Sequence, residues 1–281
     1  MNYHVGQLNV QPQSLPSALR DYLQGVSVAR MSLNNKMLPF VRTITGNLLD
    51  IGGFCDLQPY MPAGKHIILD LIDSPRNTIT ADATMLPFPD NSLAGVMCLS
   101  VLEHCLRPED ILREIHRCLQ PGGSAFISVP WLFESHMEPQ DYWRFSDHLL
   151  KEIYRRNNFL IEELSPSNGY AGLLTHLLQQ QVLTRYSFGL FMLLIEKLRP
   201  VTARCRWATI INCIVKKAGT SSNEPKQLDA WVNLLRCPRC AQAGEGLLRW
   251  GVDEVSCLSC GSRFAIRDKT RVCFAEQASG V

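Results

Sequence analysis

The stretch Asn47-Leu-Leu-Asp-Ile-Gly-Gly53 decides the fold of this chain. An apolar run closed by two glycines predicts a buried strand that enters a tight turn. Similar runs follow at His66–Asp70, Leu93–Ser100 and Gly123–Pro130, and the spacing of apolar residues from Glu109 to Leu119 predicts a helix between the last two. Strands that alternate with helices in this way predict an α/β fold with a Rossmann-like, doubly wound parallel sheet that binds its ligands at the carboxyl ends of the strands.

The rest of the chain divides around this sheet. Pro121-Gly-Gly123 is expected to end the helix, and Phe159–Leu164 and Ala208–Val215 are two more strand candidates. The predicted organisation has four parts. They are a helical lead-in over 1–45, the α/β domain over 46–218 with a helical cap at about 170–200, a linker over 219–229 and a small cysteine-bearing domain over 230–281.

Composition favours a globular protein of two domains. The 281 residues are 46% hydrophobic and 19% charged, which excludes the composition typical of disorder. No secretory signal is visible near the start, and the longest apolar run, Phe188–Ile195, is too short to cross a bilayer, so a soluble cytoplasmic protein is expected. Eleven cysteines in such a protein are interpreted as reduced thiols, some of them metal ligands.

The strand ends offer a site for a nucleotide-like cofactor. Such a cofactor needs a glycine turn after the first strand, which Asp50, Gly52 and Gly53 supply, and an acid after the second strand to bind ribose hydroxyls. Asp70, eighteen residues after Gly52, is that acid. A plain strand-to-loop turn remains the alternative.

Three blocks of sequence carry a family resemblance. Ala81-Asp-Ala-Thr-Met-Leu-Pro-Phe-Pro-Asp-Asn-Ser92, Val101-Leu-Glu-His104 and Arg117-Cys-Leu-Gln-Pro-Gly-Gly123 resemble the class I S-adenosylmethionine-dependent methyltransferases, in the branch with ubiquinone-biosynthesis C-methyltransferases. The resemblance implies that Gly52 and Gly53 face the methionine part of S-adenosylmethionine and that Asp70 binds the ribose. It also implies that Asp82 and Ala83 contact the adenine, with Ser100 under the methionyl end.

Candidate catalytic residues follow the third and fourth strands. Methyl transfer from a sulfonium displaces an already activated group, so positioning can supply up to about 7–11 kcal/mol, and a base is needed only for a protonated acceptor. The candidates are Glu103, His104, His136 and Asp141. The segment His136–Ser146, which also contains Glu138, Tyr142 and Arg144, is similar to one in the same methyltransferase branch. For each of these residues, a polar group that anchors a loop is the alternative interpretation.

Four cysteines at the C-terminal end predict a zinc ribbon. Cys237-Pro-Arg-Cys240 and Cys257-Leu-Ser-Cys260 are thiol pairs sixteen residues apart, a spacing typical of two knuckles that bind one tetrahedral Zn²⁺. Four thiolates leave no open position, so the zinc is expected to be structural. The other seven cysteines are interpreted as small buried hydrophobes: Cys55, Cys98, Cys105, Cys118, Cys205, Cys213 and Cys273.

The ribbon also resembles the small zinc-binding activator subunit of tRNA, rRNA and release-factor methyltransferases, through Leu235–Cys240, Cys257–Gly261 and Phe264–Asp268. Lys269-Thr-Arg271 departs from that family's usual Gly-Ile-Pro.

The methyl acceptor stays open. Two features favour RNA or protein as the methyl acceptor. One is the ribbon, and the other is the basic excess of ten Lys/Arg against four Asp/Glu over Lys151–Lys217. The apolar cap favours a small or lipid-like acceptor, and peripheral contact with a membrane. Phe54-Cys-Asp56 stands where the family usually has further glycines, so the alternative function is a methyltransferase-fold scaffold without catalysis, docked through its ribbon.

Overall fold

A single mixed sheet organises the protein. The computed structural model describes residues 28–53, 66–136, 140–167, 169, 173–174, 176–177, 208–219, 235–240, 246–251, 254–267 and 271–274. Its strands are β1 (Leu48–Ile51), β2 (His66–Asp70), β3 (Ile79–Thr80), β4 (Leu93–Leu99), β5 (Leu119–Pro130), β6 (Phe159–Pro166), β7 (Ile210–Lys217), β8 (Leu248–Trp250), β9 (Glu254–Cys257), β10 (Arg263–Arg267) and β11 (Arg271–Cys273).

The order across the sheet is β6-β7-β5-β4-β1-β2-β3-β11-β10-β9-β8. The strands β3, β2, β1, β4 and β5 pair in parallel, which confirms the predicted α/β, Rossmann-like fold. Antiparallel pairs flank this parallel centre: β7 pairs antiparallel with both β5 and β6 on one side, and β10 with both β11 and β9 on the other. The carboxyl ends of β1 to β5 share one edge, called the carboxyl edge below.

Three α-helices accompany the described part of the sheet: α1 (Val28–Thr43), α2 (Pro108–Cys118) and α3 (Asp147–Arg156). Helix α1 packs Leu33, Met37 and Phe40 in one apolar cluster with Met97 and Phe126. Helix α2 begins with Pro108 in its first turn and buries Ile111, Leu112 and Ile115. Of the predicted lead-in, residues 1–27 lie outside the described residues.

Pro121-Gly-Gly123 does not end α2, which corrects the prediction. The helix already ends at Cys118, because Leu119 adopts an extended backbone. The Pro-Gly-Gly sequence lies within β5, where the register with β4 shifts between the Leu93–Leu119 and Gly95–Ser124 pairs. Gly122 has φ +80° there, so its conformational freedom serves a β-bulge rather than a helix cap.

The cysteine-bearing strands extend the main sheet. Strand β11 pairs in parallel with β3, placing Val272 beside Ile79 and Cys273 beside Thr80. The backbone N–H of Phe274 donates to the Thr80 carbonyl at 2.6 Å, and that of Arg236 donates to the Pro87 carbonyl at 2.8 Å. The buried residues Leu235, Val255, Phe264, Val272 and Phe274 belong to the same apolar cluster as the central strands.

Two predicted segments are scarcely covered. Only residues 173–174 and 176–177 of the predicted cap are described, all in helical conformation, and Gly219 is the one described residue of the predicted linker. The domain boundaries therefore stay predictions. Within the described residues, no helix is both long enough and apolar enough to cross a bilayer.

Candidate functional site

The glycine turn after β1 requires its two glycines. Gly52 has φ +88° and Gly53 has φ +57°, backbone conformations that favour glycine. A Cβ on Gly52 would lie 2.7 Å from Cγ2 of Val101, and one on Gly53 would lie 2.9 Å from Cγ2 of Ile68. The turn thus packs directly against the segment that follows β4, and leaves backbone rather than side chains at this point of the carboxyl edge.

The two acids of the predicted cofactor site occupy different environments. Asp70, at the end of β2, is half-buried, and its Oδ1 accepts the backbone N–H of Ile72 at 3.0 Å. Asp50 is wholly buried, with Oδ2 3.6 Å from Nε2 of His66. The carboxylate of Asp50 is thus enclosed within the sheet beneath the turn, whereas that of Asp70 is partly accessible at the edge.

The remaining predicted cofactor residues follow β3 and β4. Asp82 is exposed, and its Oδ1 accepts the backbone N–H of Thr84 at 2.8 Å, which caps the short 3-10 helix Ala83–Met85. Ser100 has φ +52°, a left-handed conformation that is uncommon for a residue with a side chain, and its N–H donates to the Ser128 carbonyl at 3.0 Å. Strained backbone of this kind often occurs at functional sites.

The predicted catalytic side chains meet at the carboxyl edge. Glu103 and His104 lie in a short 3-10 helix (Leu102–His104) just after β4, and His136 follows β5. Oε1 of Glu103 is 3.9 Å from Nε2 of His104 and 3.7 Å from Nε2 of His136. The two imidazole rings are 5.0 Å apart at an angle of 74°. We call Glu103, His104 and His136 the Glu-His-His cluster.

The Glu-His-His cluster is partly open. Glu103 is wholly buried, whereas the side chains of His104 and His136 are 19% and 25% exposed. Neither carboxylate oxygen of Glu103 has a hydrogen-bond partner among the described residues. A buried carboxylate beside two partly exposed imidazoles provides charge and lone pairs that a bound molecule could reach.

Asp141 and Arg144 hold the loop that carries His136. Both carboxylate oxygens of Asp141 accept from the Arg144 guanidinium, at 2.6 and 2.7 Å, and Oδ2 also accepts the backbone N–H of His136 at 2.8 Å. The guanidinium further donates to the carbonyls of Phe133 and Glu134. Arg144 therefore lowers the pKa of Asp141 well below its usual range. Asp141 is fixed as a charged anchor.

Glu103 sets the electrostatics of His136. The Glu103 carboxylate raises the pKa of His136, against an opposing contribution from burial. On His104, the ring nitrogen Nδ1 is 2.7 Å from the Gln140 carbonyl. Sequence reasoning did not identify Gln140, because a backbone carbonyl leaves no signature in residue type. It included Arg144 only as one of several polar residues near His136.

The four ribbon cysteines converge as the spacing predicts. Their sulfurs lie within 4.8 Å of one another, with 3.7 Å between Cys237 and Cys260 and 3.9 Å between Cys240 and Cys257. Four Zn–S bonds of ~2.3 Å in a tetrahedron require sulfurs about 3.8 Å apart, so this donor set fits Zn²⁺. Gly246, with φ +96°, lets the backbone pass close to the first cysteine pair, since a Cβ there would lie 2.9 Å from Cβ of Cys240 and 3.1 Å from Cβ of Cys237.

The other described cysteines agree with their predicted role only in part. Cys98, Cys118 and Cys213 are buried, whereas Cys105 and Cys273 are partly exposed. Burial raises the pKa of Cys213 to about 12, so that thiol stays protonated. Cys55 and Cys205 lie outside the described residues.

Comparisons with known proteins find similarity to methyltransferases in the central part of the chain. A family model described as a methyltransferase domain matches residues 61–127. The ubiquinone biosynthesis O-methyltransferase of Pseudomonas entomophila is 32% identical over 87 residues, which are 31% of this chain and 34% of that protein. The demethylmenaquinone methyltransferase of Chlamydia trachomatis is 41% identical over 54 residues, 19% of this chain and 24% of that protein.

A solved structure of an S-adenosylmethionine-dependent methyltransferase from Archaeoglobus fulgidus is also similar, at 18% identity and a TM-score of 0.45, over 71% of this chain and 99% of that one. The chain spans about a quarter to a third of the length of the two sequence relatives. The family model and the relatives show that the part of this chain they cover is similar to methyltransferases.

Proposed function

We propose that the whole protein is a catalytic S-adenosylmethionine-dependent methyltransferase that acts on a small acceptor. The observation that carries this proposal is the position of the Glu-His-His cluster relative to the glycine turn. Gly52 packs against Val101, two residues before Glu103, so a cofactor seated on the turn would lie beside the cluster. Donor and acceptor would then be held together, which is the main requirement for transfer from an activated sulfonium.

The cofactor would lie along the carboxyl edge. The backbone of the glycine turn can approach the methionine part closely because no Cβ intervenes. The half-buried carboxylate of Asp70 is suited to the ribose hydroxyls, and exposed Asp82 to the adenine. Asp50 would act indirectly, by supporting the turn from below. The proposed cofactor-binding residues are Asp50, Gly52, Gly53, Asp70, Asp82, Ala83 and Ser100.

The acceptor would bind over the cluster. Glu103, His104 and His136 would activate it by promoting the loss of its proton, and Asp141 would keep His136 in place. The two relatives are named for ubiquinone biosynthesis and for demethylmenaquinone, which supports a small acceptor over RNA or protein. The site supplies two imidazoles and one carboxylate to such a molecule.

The ribbon would bind one structural Zn²⁺ through Cys237, Cys240, Cys257 and Cys260. The metal would stabilise strands too short to bury a large core alone. Because β11 pairs with β3, the zinc-bound ribbon would in turn cover an edge of the methyltransferase sheet. Four thiols that must stay reduced to bind zinc favour a reducing compartment such as the cytoplasm.

Calorimetric titration of the zinc-loaded protein with S-adenosylmethionine and S-adenosylhomocysteine tests the proposal. We expect binding by the native chain and a roughly 10- to 100-fold loss in Asp70→Ala, the range expected for lost hydrogen bonds to a charged group. Asp90→Ala is the matched control, since Asp90 precedes β4 at the opposite edge and pairs with Arg117. Folded protein that binds neither compound would favour the non-catalytic scaffold instead.

A further inference from the structure

We propose that Glu103, His104 and His136 form a binding site for one divalent first-row transition-metal ion, distinct from the zinc of the ribbon. The proposal rests on the proposed methyltransferase function for its catalytic role, but the metal site itself rests on geometry. One carboxylate and two imidazoles are a ligand set used for catalytic zinc and for non-haem iron.

The distances suit one shared ion. One ligand atom from each residue lies within 4.8 Å of the other two, and the Glu103 Oε1 distances are 3.9 and 3.7 Å to His104 and His136 Nε2. Metal bonds of about 2.0–2.2 Å place neighbouring ligand atoms roughly 3.0–3.5 Å apart in octahedral or tetrahedral geometry. Small torsional movements of the two partly exposed imidazoles would shorten the distances to Glu103 Oε1 to this range.

A bound cation would stabilise the buried carboxylate of Glu103. Glu103 is wholly buried, and its two oxygens lack a hydrogen-bond partner among the described residues. An ionised carboxylate out of water is unfavourable unless it is paired or coordinates a metal. The guanidinium of Arg144 donates to both oxygens of Asp141. An ion between Glu103 and the two imidazoles would neutralise the buried charge.

The hydrogen bonds at the other ring nitrogens present both Nε2 atoms as ligands. Nδ1 of His104, 2.7 Å from the Gln140 carbonyl, donates to it, which leaves the lone pair on Nε2. Nδ1 of His136 is 3.3 Å from the Glu134 carbonyl and 3.4 Å from Asp141 Oδ2, which favours the same tautomer. Carbonyl or carboxylate partners behind metal-binding histidines are the usual supporting arrangement.

The site would keep open positions for the acceptor. Three protein ligands leave at least one coordination position free, and the partial exposure of both imidazoles gives access to it. The acceptor would therefore be a molecule with a hydroxyl oxygen that can bind the ion. Binding would promote release of the hydroxyl proton to water. The oxygen lone pair would then form the C–O bond as the C–S bond breaks, leaving its electrons on sulfur.

Titration of the zinc-loaded full-length protein with Mn²⁺ tests the site, because Mn²⁺ prefers oxygen and nitrogen ligands and should not displace zinc from thiolates. Electron paramagnetic resonance of free Mn²⁺ gives the stoichiometry. We expect one Mn²⁺ per chain. Glu103→Gln and His136→Gln should weaken binding at least about 100-fold, beyond the 10–100-fold typical of a lost supporting residue. His116→Gln, on α2 against Phe159, is the matched control and should bind Mn²⁺ normally.

Two results would overturn the metal site. One is the absence of saturable Mn²⁺ uptake, with Co²⁺ and Zn²⁺ likewise bound only at the ribbon. The other is uptake that Glu103→Gln and His136→Gln retain. Calorimetry with S-adenosylmethionine on the same preparations separates this outcome from failure of the proposed function, since cofactor binding without metal binding refutes the site alone. Circular dichroism would verify that each variant is folded.

Discussion

The described part of the protein contains two clusters of side chains that could hold a metal ion, and they arise in opposite ways. The ribbon cysteines come as two close pairs, and each pair is brought together by a single turn. The Glu-His-His cluster joins residues that follow different strands, β4 and β5, and His136 lies more than thirty positions after Glu103 and His104. The first cluster is therefore set by local spacing and the second by the packing of the sheet.

The two clusters also differ in what they leave accessible. Four thiolates complete a tetrahedral ion, so the ribbon can stabilise but offers no coordination position to a substrate. The Glu-His-His cluster has three side chains that could bind a metal ion, two of them partly exposed, at the edge where methyl transfer is proposed. The role proposed for the four-thiolate site is structural and the one proposed for the Glu-His-His cluster is chemical, and each has its own test.

Loss of the ribbon zinc should have the largest effect. Structural zinc supplies on the order of 10–16 kcal/mol of apparent binding free energy, comparable to the whole stability of a domain. We expect Cys257→Ser to lose zinc, unfold the ribbon and lower the melting temperature of the whole protein, because β11 pairs with β3. Zinc content and thermal melting followed by circular dichroism measure this.

Cys273→Ser is the matched control for that experiment. Cys273 is a partly exposed thiol in β11, outside the cluster, and its serine variant should keep one zinc per chain. If Cys257→Ser retained both zinc and the native melting temperature, the structural role of the four-thiolate site would be refuted.

The shared core between ribbon and methyltransferase domain gives the second prediction. Phe274 is buried, lies 4.8 Å from Phe264 between ring centroids, and follows the strand that pairs with β3. Phe274→Ala should reduce the free energy of unfolding by about 3–5 kcal/mol in a single cooperative transition. Denaturation in urea measures it. Leu258→Ala, at an exposed ribbon position, should change the stability by less than about 0.5 kcal/mol.

Two separate unfolding transitions in Phe274→Ala, with only the weaker one shifted, would show instead that ribbon and sheet are independent. Zinc would then stabilise the ribbon alone, and not the methyltransferase sheet.

Sequence predicted those features that depend on near neighbours in the chain. The apolar runs and the glycine turn located the parallel strands, and the paired cysteines located the ribbon, because strand burial and knuckle spacing are local properties. The prediction that Pro121-Gly-Gly123 ends α2 is wrong, because these residues lie within β5, at the point where its register with β4 shifts. Pairing of β11 with β3 was missed because an edge-to-edge contact leaves no periodic pattern.

The sequence predicts that Glu103, His104, His136 and Asp141 follow the third and fourth strands, at the carboxyl ends of the sheet. The distances between these side chains come only from the folded sheet, which brings His136 to 3.7 Å from Glu103. Asp50 was grouped with the cofactor residues from its place beside the turn, although its side chain is enclosed with His66. Burial of an individual carboxylate depends on all its tertiary neighbours, and the spacing of residues in the sequence does not reveal those neighbours.

The smallest expected effect concerns the loop that holds His136. Arg144 donates to both oxygens of Asp141 and to three backbone carbonyls, a planar set of contacts that lysine cannot reproduce. Arg144→Lys should therefore loosen His136 without removing a ligand, and weaken Mn²⁺ binding by about 10–100-fold with little change in melting temperature or in S-adenosylmethionine affinity. Arg155→Lys, in an exposed pair with Glu152 on α3, should leave Mn²⁺ binding, melting temperature and S-adenosylmethionine affinity unchanged.

Equal Mn²⁺ affinity in Arg144→Lys and the native chain would mean that the Glu-His-His cluster is held by the sheet alone. A graded loss, smaller than that of Glu103→Gln, would mean that the Glu-His-His cluster depends on the loop that anchors His136.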